Sequence, residues 1–175
     1  MEFKEVLNKR RSCRKFTEQK VSSEVIDRLL DATLTAPSSK SCNSSRFVVV
    51  TDSEKIAKLA QIRDHGAAFM AAAPLAIVVA GDTSTTDIWE INATISTTIL
   101  QLACTDEGLA SCWVNVINRP AIASEPDGVK AVDKLREVVD MPQDWAVLCV
   151  VAIGYGAAEA KPKRAINSEE VIINN

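Results

Sequence analysis

Three continuous apolar runs constrain this chain more than any other feature: Phe47-Val48-Val49-Val50, Leu75-Ala76-Ile77-Val78-Val79 and Ala146 to Ile153. None alternates polar with apolar residues, so none suits a strand with one face in water. Each reads as a strand buried on both sides, and a sheet of such strands needs one layer of helices above it and another below. The stretches between them carry helical spacing. Phe3, Val6 and Leu7 predict a short first helix. Ser22 is placed to cap a second, carrying Val25, Ile26, Leu29 and Leu30 and ended by Pro37. Ser53 is placed to cap a third with Ile56, Leu59 and Ile62, and an alanine-rich helical stretch runs on to Ala73. Ile88, Ile91, Ile95, Ile99 and Leu102 predict a long, mostly buried helix that Gly108 closes. Cys112-Trp113-Val114 reads as a short strand or buried turn, Ile117 to Gly128 as a loop or broken helix, and Val129 to Val139 as amphipathic. The expectation is a single three-layer domain over residues 1–175, α/β or α+β in class.

Charge excludes some functions. Lys+Arg number 20 against 23 Asp+Glu, a net charge of −3. A general nucleic-acid or anionic-membrane binder needs a basic surplus, so neither partner is expected. The cysteines, Cys13, Cys42, Cys104, Cys112 and Cys149, are odd in number and form no C-x-x-C pair. They predict free thiols in a reducing compartment, neither a disulfide framework nor a zinc site. The lone His65 cannot build a histidine metal site. The start of the chain lacks an apolar signal core, and the longest apolar stretch is broken by Pro74, so a cytoplasmic protein is expected.

Against that acidic background the cluster Arg10-Arg11-Ser12-Cys13-Arg14 stands out. Guanidinium forks and a hydroxyl suit the oxygens of one compact anion. The competing reading is a solvated patch, or pairing with Glu2 and Glu5. Three further segments carry donors or tight backbone. The loop from Pro37 to Arg46, with Ser38, Ser39, Ser41 and Asn43, offers short polar groups to the edge of a heterocycle, or is an ordinary connection. Gly108-Leu109-Ala110-Ser111-Cys112-Trp113 permits close backbone approach to a planar ligand, or is a helix end followed by a core strand. Gly154-Tyr155-Gly156, followed by Lys161, Lys163 and Arg164, brings late cations that either meet the early cluster or form a solvated tail.

Taken in order, these segments resemble the nitroreductase family of FMN-dependent oxidoreductases. Arg10-Arg11-Ser12-x-Arg14-x-Phe16 is similar to that family's phosphate signature. Ala36-Pro37-Ser38 with Arg46-Phe47-Val48-Val49-Val50 is similar to its flavin loop and first strand, and Ala73-Pro74-Leu75-Ala76-Ile77-Val78-Val79 to its second. Gly108 to Trp113 resembles its helix-to-strand junction. Ile153-Gly154-Tyr155, then Pro162-Lys163-Arg164, resembles its late strand and second phosphate arm.

The resemblance implies an α+β fold with a central, mostly antiparallel sheet flanked by helices. It also implies an intertwined homodimer with FMN at the subunit interface and a C-terminal arm exchanged with the partner, which the apolar Val171-Ile172-Ile173 suits. Arg10, Ser12 and Arg164 would take the FMN phosphate, with Arg11, Arg14 and Lys163 close by. Pro37, Ser38, Ser39, Ser41 and Asn43 would line the ribityl chain and ring edge from the other subunit. Ala110 and Ser111 would approach the ring through backbone. Hydride would pass from NADH or NADPH through flavin N5 to a nitroaromatic, a quinone or another flat acceptor, by a ping-pong mechanism that needs no protein acid or base. Two rivals stand beside this: a specialised relative that dehalogenates, fragments flavin or oxidises azolines, and a flavin sensor or store without turnover. The loop departs from the family's common residues at Ser41, Asn43, Ser44 and Ser45, where Asn, Gln, Pro and Trp are usual. That departure bears on the acceptor more than on the flavin.

Overall fold

Every residue of β2 (Leu75–Asp82) is buried, as a strand without a solvent face must be. The computed structural model describes residues 1–158, 162, 163, 165, 171 and 172. In it β2 lies inside a four-stranded sheet of order β1-β2-β4-β3, with β1 at Ser45–Val50, β3 at Ala110–Asn115 and β4 at Trp145–Gly154. All three pairings are antiparallel. The three apolar runs are thus β1, β2 and β4, and Cys112-Trp113-Val114 is the middle of β3.

Two cores sit on the two faces, and the period-2 rule assigns residues to them. Leu75, Ile77 and Val79 point to one core, beside Ile26 and Leu29 of α2 (Ser23–Leu34) and Ala93, Leu100 and Cys104 of α4 (Trp89–Asp106). Ala76, Val78 and Ala80 point to the other, beside Ile56 and Leu59 of α3 (Ser53–Leu59), Met70 of a 3-10 turn (Ala68–Ala72) and Leu135 of α5 (Ala131–Arg136). The helix α1 (Phe3–Lys9) packs against α4. The result is the expected three layers.

Local chemistry sets the helix ends. Ser22 caps α2 by accepting the Val25 N–H. Asp52, not Ser53, caps α3, because its carboxylate reaches the N–H groups of both Glu54 and Lys55. At the end of α4, Gly108 adopts φ +74°; its N–H donates to Thr105 and that of Leu109 to Cys104. This is a Schellman motif, and it aims the chain into β3. The alanine-rich stretch forms the 3-10 turn rather than an α-helix, and only Ala131–Arg136 of the 129–139 segment is helical.

The long helix has the expected length but not the expected orientation. Ile91 is 58 % exposed and Ile88 is 38 % exposed, while the buried side carries Asn92, Ala93, Ser96, Thr97, Leu100 and Cys104. The reason is space. A Cβ on Gly81 of β2 would lie 2.6 Å from Trp89, so the start of α4 rests almost directly on the strand. The Trp89 side chain fills the space that Gly81 leaves, and Asn92, Ala93, Ser96 and Thr97 take the inner side of the helix. The isoleucine stripe of α4 therefore faces away from this chain's own sheet.

All five cysteines are free. Burial pushes the Cys149 thiol up to about 12, so it stays protonated and acts as packing.

Two glycine substitutions separate backbone strain from crowding. Nothing lies within 4 Å of a Cβ at Gly108, so Gly108→Ala should cost only the left-handed penalty, about 1 kcal/mol. A Cβ at Gly154 would lie 2.5 Å from Pro74 and 3.2 Å from Phe16, so Gly154→Ala should cost about 2–3 kcal/mol through overpacking. Urea unfolding of both variants measures the difference, and equal losses would contradict this assignment.

Candidate functional site

The arginine cluster does not form a helix. The first helix stops at Lys9, with Arg10 as its C-cap, and the chain then runs extended as a strap along the sheet. Ser12 pairs in parallel with Ser111, and the Cys13 N–H donates to the Ser111 carbonyl at 3.0 Å. Phe16 pairs with Gly156, the Ala157 N–H donates to Lys15, and the Thr17 N–H donates to Tyr155. The strap therefore crosses the ends of both β3 and β4. The crossing is close but not crowded: a Cβ at Gly156 would make ordinary contacts, with Ala110 at 3.4 Å and the Cys13 sulfur at 3.8 Å.

The strap gathers the predicted anion ligands. Arg11 donates to the Pro162 carbonyl at 2.9 Å, and Lys163 donates to the Leu7 carbonyl. The late basic segment thus returns to the early one, as its charge suggested. Glu5 pairs with Lys9 instead of with an arginine. Among the described residues, Arg10, Arg11, Arg14 and Lys163 have no carboxylate partner. Cations so close together repel, and an anion between them removes that penalty. Arg14 turns aside, with its guanidinium 5.6 Å from the centre of the Phe69 ring. Ser111 is buried, and its carbonyl already accepts from the strap, so it docks the strap instead of offering free backbone to a ring. Ala110 is half-buried beside it. Arg164 lies outside the described residues.

The serine loop lies elsewhere. Residues 38–44 make a 3-10 turn and enter β1 at Ser45. Lys40, Ser41 and Asn43 all take positive φ, between 48° and 53°. Ser38 bonds both the side chain and the N–H of Asn43. Ser39 and Ser41 sit on the turn, with Ser41 exposed. The base of the loop is fixed electrostatically. Arg46 donates to the Asn43 carbonyl and to Asp82, each at 2.7 Å, and the Asp82 N–H donates to Ser44 at 2.8 Å. Hydrogen bonds from Ser84 outweigh the effect of burial, and Arg46 adds to them, so the Asp82 carboxyl is held below the usual range.

The strap and the loop occupy opposite corners of the sheet. Ser45 opens the edge strand β1 opposite Gly81, which pairs with Ala146, whereas Ala110 opens the other edge strand opposite Gly154. Three strand spacings separate the corners, roughly 14 Å, and about eight residues along β4 separate them lengthwise, roughly 26 Å. The structure brings together Arg10, Arg11, Ser12, Ala110, Ser111 and Lys163, and separately Pro37, Ser38, Ser39, Ser41 and Asn43. It does not bring the two groups to each other within one chain.

Comparison with known proteins now bears on this geometry. The model of the nitroreductase family matches residues 7–65 and 61–155. The chain belongs to the nitroreductase family. Membership places it among the oxidoreductases. A relative from Archaeoglobus fulgidus, provisionally named NADH dehydrogenase/NAD(P)H nitroreductase, is 31 % identical over 83 % of this chain and 80 % of its own length. The structure of an FMN-dependent nitroreductase from Clostridium difficile is 38 % identical, covers 97 % of this chain and 98 % of its own, and superposes with a TM-score of 0.89. A structure from Parabacteroides distasonis is 27 % identical over 100 % of this chain and 99 % of its own, with a TM-score of 0.88. The α+β nitroreductase fold expected from the sequence is therefore the observed one. No described helix is long and apolar enough to cross a membrane.

Sequence patterns assign no bracing role to Arg46, Asp82 or Asn92. Arg46 and Asp82 are far apart in the chain and meet only through the β1–β2 register. Asn92 had a visible signal: a polar residue, with Ser96 four positions on, in a helix otherwise read as apolar.

The Arg46–Asp82 pair gives a pH-dependent prediction. The folded Asp82 has a lowered pKa, so its stabilisation is present above the unfolded carboxylate value and is lost as pH falls through the folded one. Asp82→Asn should lower stability at pH 7 by removing these charge-assisted bonds. The gap from wild type should close below about pH 4, the ordinary aspartate value. Denaturant titrations at a series of pH values test this, and a gap that widened in acid would refute it.

Proposed function

We propose that the chain is an FMN-dependent NAD(P)H oxidoreductase acting as a homodimer, with each flavin held between the strap of one subunit and the serine loop of the other. The observation that carries this reading is the diagonal separation of the two half-sites. One flavin cannot reach both corners of a single sheet, whereas two chains can bring opposite corners together.

The isoleucine stripe supports the dimer. Ile91 and Ile88 on α4, Phe3 and Leu7 on α1, and Leu34 on α2 are all exposed apolar side chains. Burying what they still expose against a second copy contributes about 25 cal/mol per Å² of apolar surface removed from water. Val171 and Ile172 are 66 % and 56 % exposed, which suits an arm that packs on the partner; Ile173 lies outside the described residues.

The donor set fits the cofactor. Arg10 and Ser12 would hold the phosphate, with Arg11, Lys163 and Arg164 adding charge and Arg14 contributing at longer range. Pro37, Ser38, Ser39, Ser41 and Asn43 would line the ribityl chain and ring edge, and Ala110 would support the ring plane. When bound, FMN would supply the two-electron chemistry between NAD(P)H and a nitroaromatic, quinone or similar flat acceptor, in a ping-pong cycle. The protein's own contribution is to anchor the phosphate, orient the ring and keep a flat cleft that admits two substrates in turn. It needs no side chain as acid or base.

Three measurements test this reading. Charge-assisted hydrogen bonds contribute about 1.5–3 kcal/mol each, so Arg10→Ala with Lys163→Ala should weaken FMN binding at least about 100-fold. Fluorescence titration of apoprotein reads this, and unchanged binding would show the phosphate assignment to be wrong. Ile91→Asp with Ile95→Asp should yield monomers that lose FMN together with the dimer; sedimentation of a monomeric wild-type holoprotein would reject the two-chain site. Anaerobic NADH or NADPH should bleach the bound flavin, and a flavin that neither reduces would identify a binder without turnover.

A further inference from the structure

The side of α4 that faces the sheet is polar where it passes the serine loop, and one residue there fastens the whole loop. Asn92 is 1 % exposed. Its Oδ1 accepts the Ser39 N–H at 3.0 Å, and its Nδ2 donates to the Ser44 hydroxyl at 2.9 Å and to the Cys42 sulfur at 3.4 Å. One turn further along the helix, Ser96 meets the Ser45 hydroxyl at 2.8 Å. A buried amide is costly unless its donors and acceptor are paired. Here both donors and the acceptor are used, and all three partners lie within residues 39–44.

The loop needs such a clasp. Lys40, Ser41 and Asn43 hold left-handed backbone without being glycine. Such a conformation persists only where surrounding contacts determine it. Within the loop, the N–H groups of Ser41 and Cys42 turn back on Ser38 and Ser39, and Ser38 bonds Asn43. Those bonds shape the turn but tie it to nothing outside. Arg46 and Asp82 hold only its far end, at Asn43 and Ser44. Asn92 alone ties the Ser39 end to a helix. Burial raises the Cys42 thiol, but hydrogen bonds from Ser39 and Ser44 outweigh it and hold that thiol below its ordinary value.

We propose that Asn92 is a positioning residue for the flavin: through Ser39, Cys42 and Ser44 it sets the angle at which Ser39, Ser41 and Asn43 meet the ring edge in the partner's half-site. This rests on the reading that the loop lines the flavin across the dimer. Asn92 touches no ligand itself. Because α4 also carries the isoleucine stripe, the same helix that meets the second subunit fixes the loop offered to that subunit's flavin.

The test compares Asn92→Ala and Ser44→Ala with wild-type dimer, each loaded with FMN well below its melting temperature. Asn92→Ala should bind FMN at least tenfold more weakly, with altered visible circular dichroism and a shifted midpoint potential of the remaining bound flavin. Its phosphorus-31 resonance should stay at the wild-type position, because the strap is untouched. Ser44→Ala removes one bond of the clasp and should show the same changes at about threefold weaker binding; it decides the matter if Asn92→Ala does not fold. A folded variant with affinity within twofold of wild type and unchanged dichroism and potential would make Asn92 merely structural and overturn the proposal. A wild-type protein that took up no FMN would overturn the flavin reading, and this inference with it. The two failures are told apart by the wild-type titration.

Discussion

A strand with no solvent face dictates most of this molecule. Because β2 is buried along its whole length, helices must cover both sides of the sheet, and polar chemistry is driven to the strand ends. The two covers differ. Large aliphatic side chains from α3 and α5 fill one core. On the other side Trp89 of α4 packs on Gly81, and the inner face of that helix carries Asn92, Ala93, Ser96 and Thr97 while Ile91 is exposed. A helix that looks like core in sequence thus presents an apolar outer face, and its polar inner face becomes available to hold a loop.

The same sheet sets the geometry of the site. The strap docks where β3 begins, because Ser111 offers its carbonyl at the open edge. The serine loop enters at the opposite corner, braced by Arg46 and Asp82 from neighbouring strands. Neither half could move towards the other without breaking the register of the edge strands β1 and β3 on the buried strands between them. The proposed composite site made from two chains rests on that rigidity. Dimerisation on this reading is a condition for the site, not an addition to it.

Sequence and structure agreed on many local signals: the apolar runs named the strands, and Ser22 and Gly108 marked helix ends. Their physical causes act within a few residues. Three kinds of information were hidden. Capping by Asp52 instead of Ser53 depends on which oxygen reaches the free N–H groups. The orientation of α4 depends on a gap of ångströms beside Gly81, which periodicity cannot report. The Arg46–Asp82 pair depends on strand register. Arg14 shows the converse: its place in the motif suggested an anion ligand, yet it lies over Phe69.

A flavin enzyme of this kind asks little of side-chain acids and bases and much of placement. The cations that hold a phosphate tolerate some play, since several donors share the charge and water fills small gaps. The ring edge is less forgiving, because a hydrogen bond there weakens steeply with distance and angle and tunes the electron affinity of the ring. It is therefore consistent that the strap is held by an ordinary extended pairing, while the loop is held in strained backbone by a fully paired buried amide. Substitution of Ser41, Asn43, Ser44 and Ser45 for the residues common in related loops shortens the side chains that reach outward. With less reach, the position of the backbone itself matters more, and the burden of fixing it falls on Asn92.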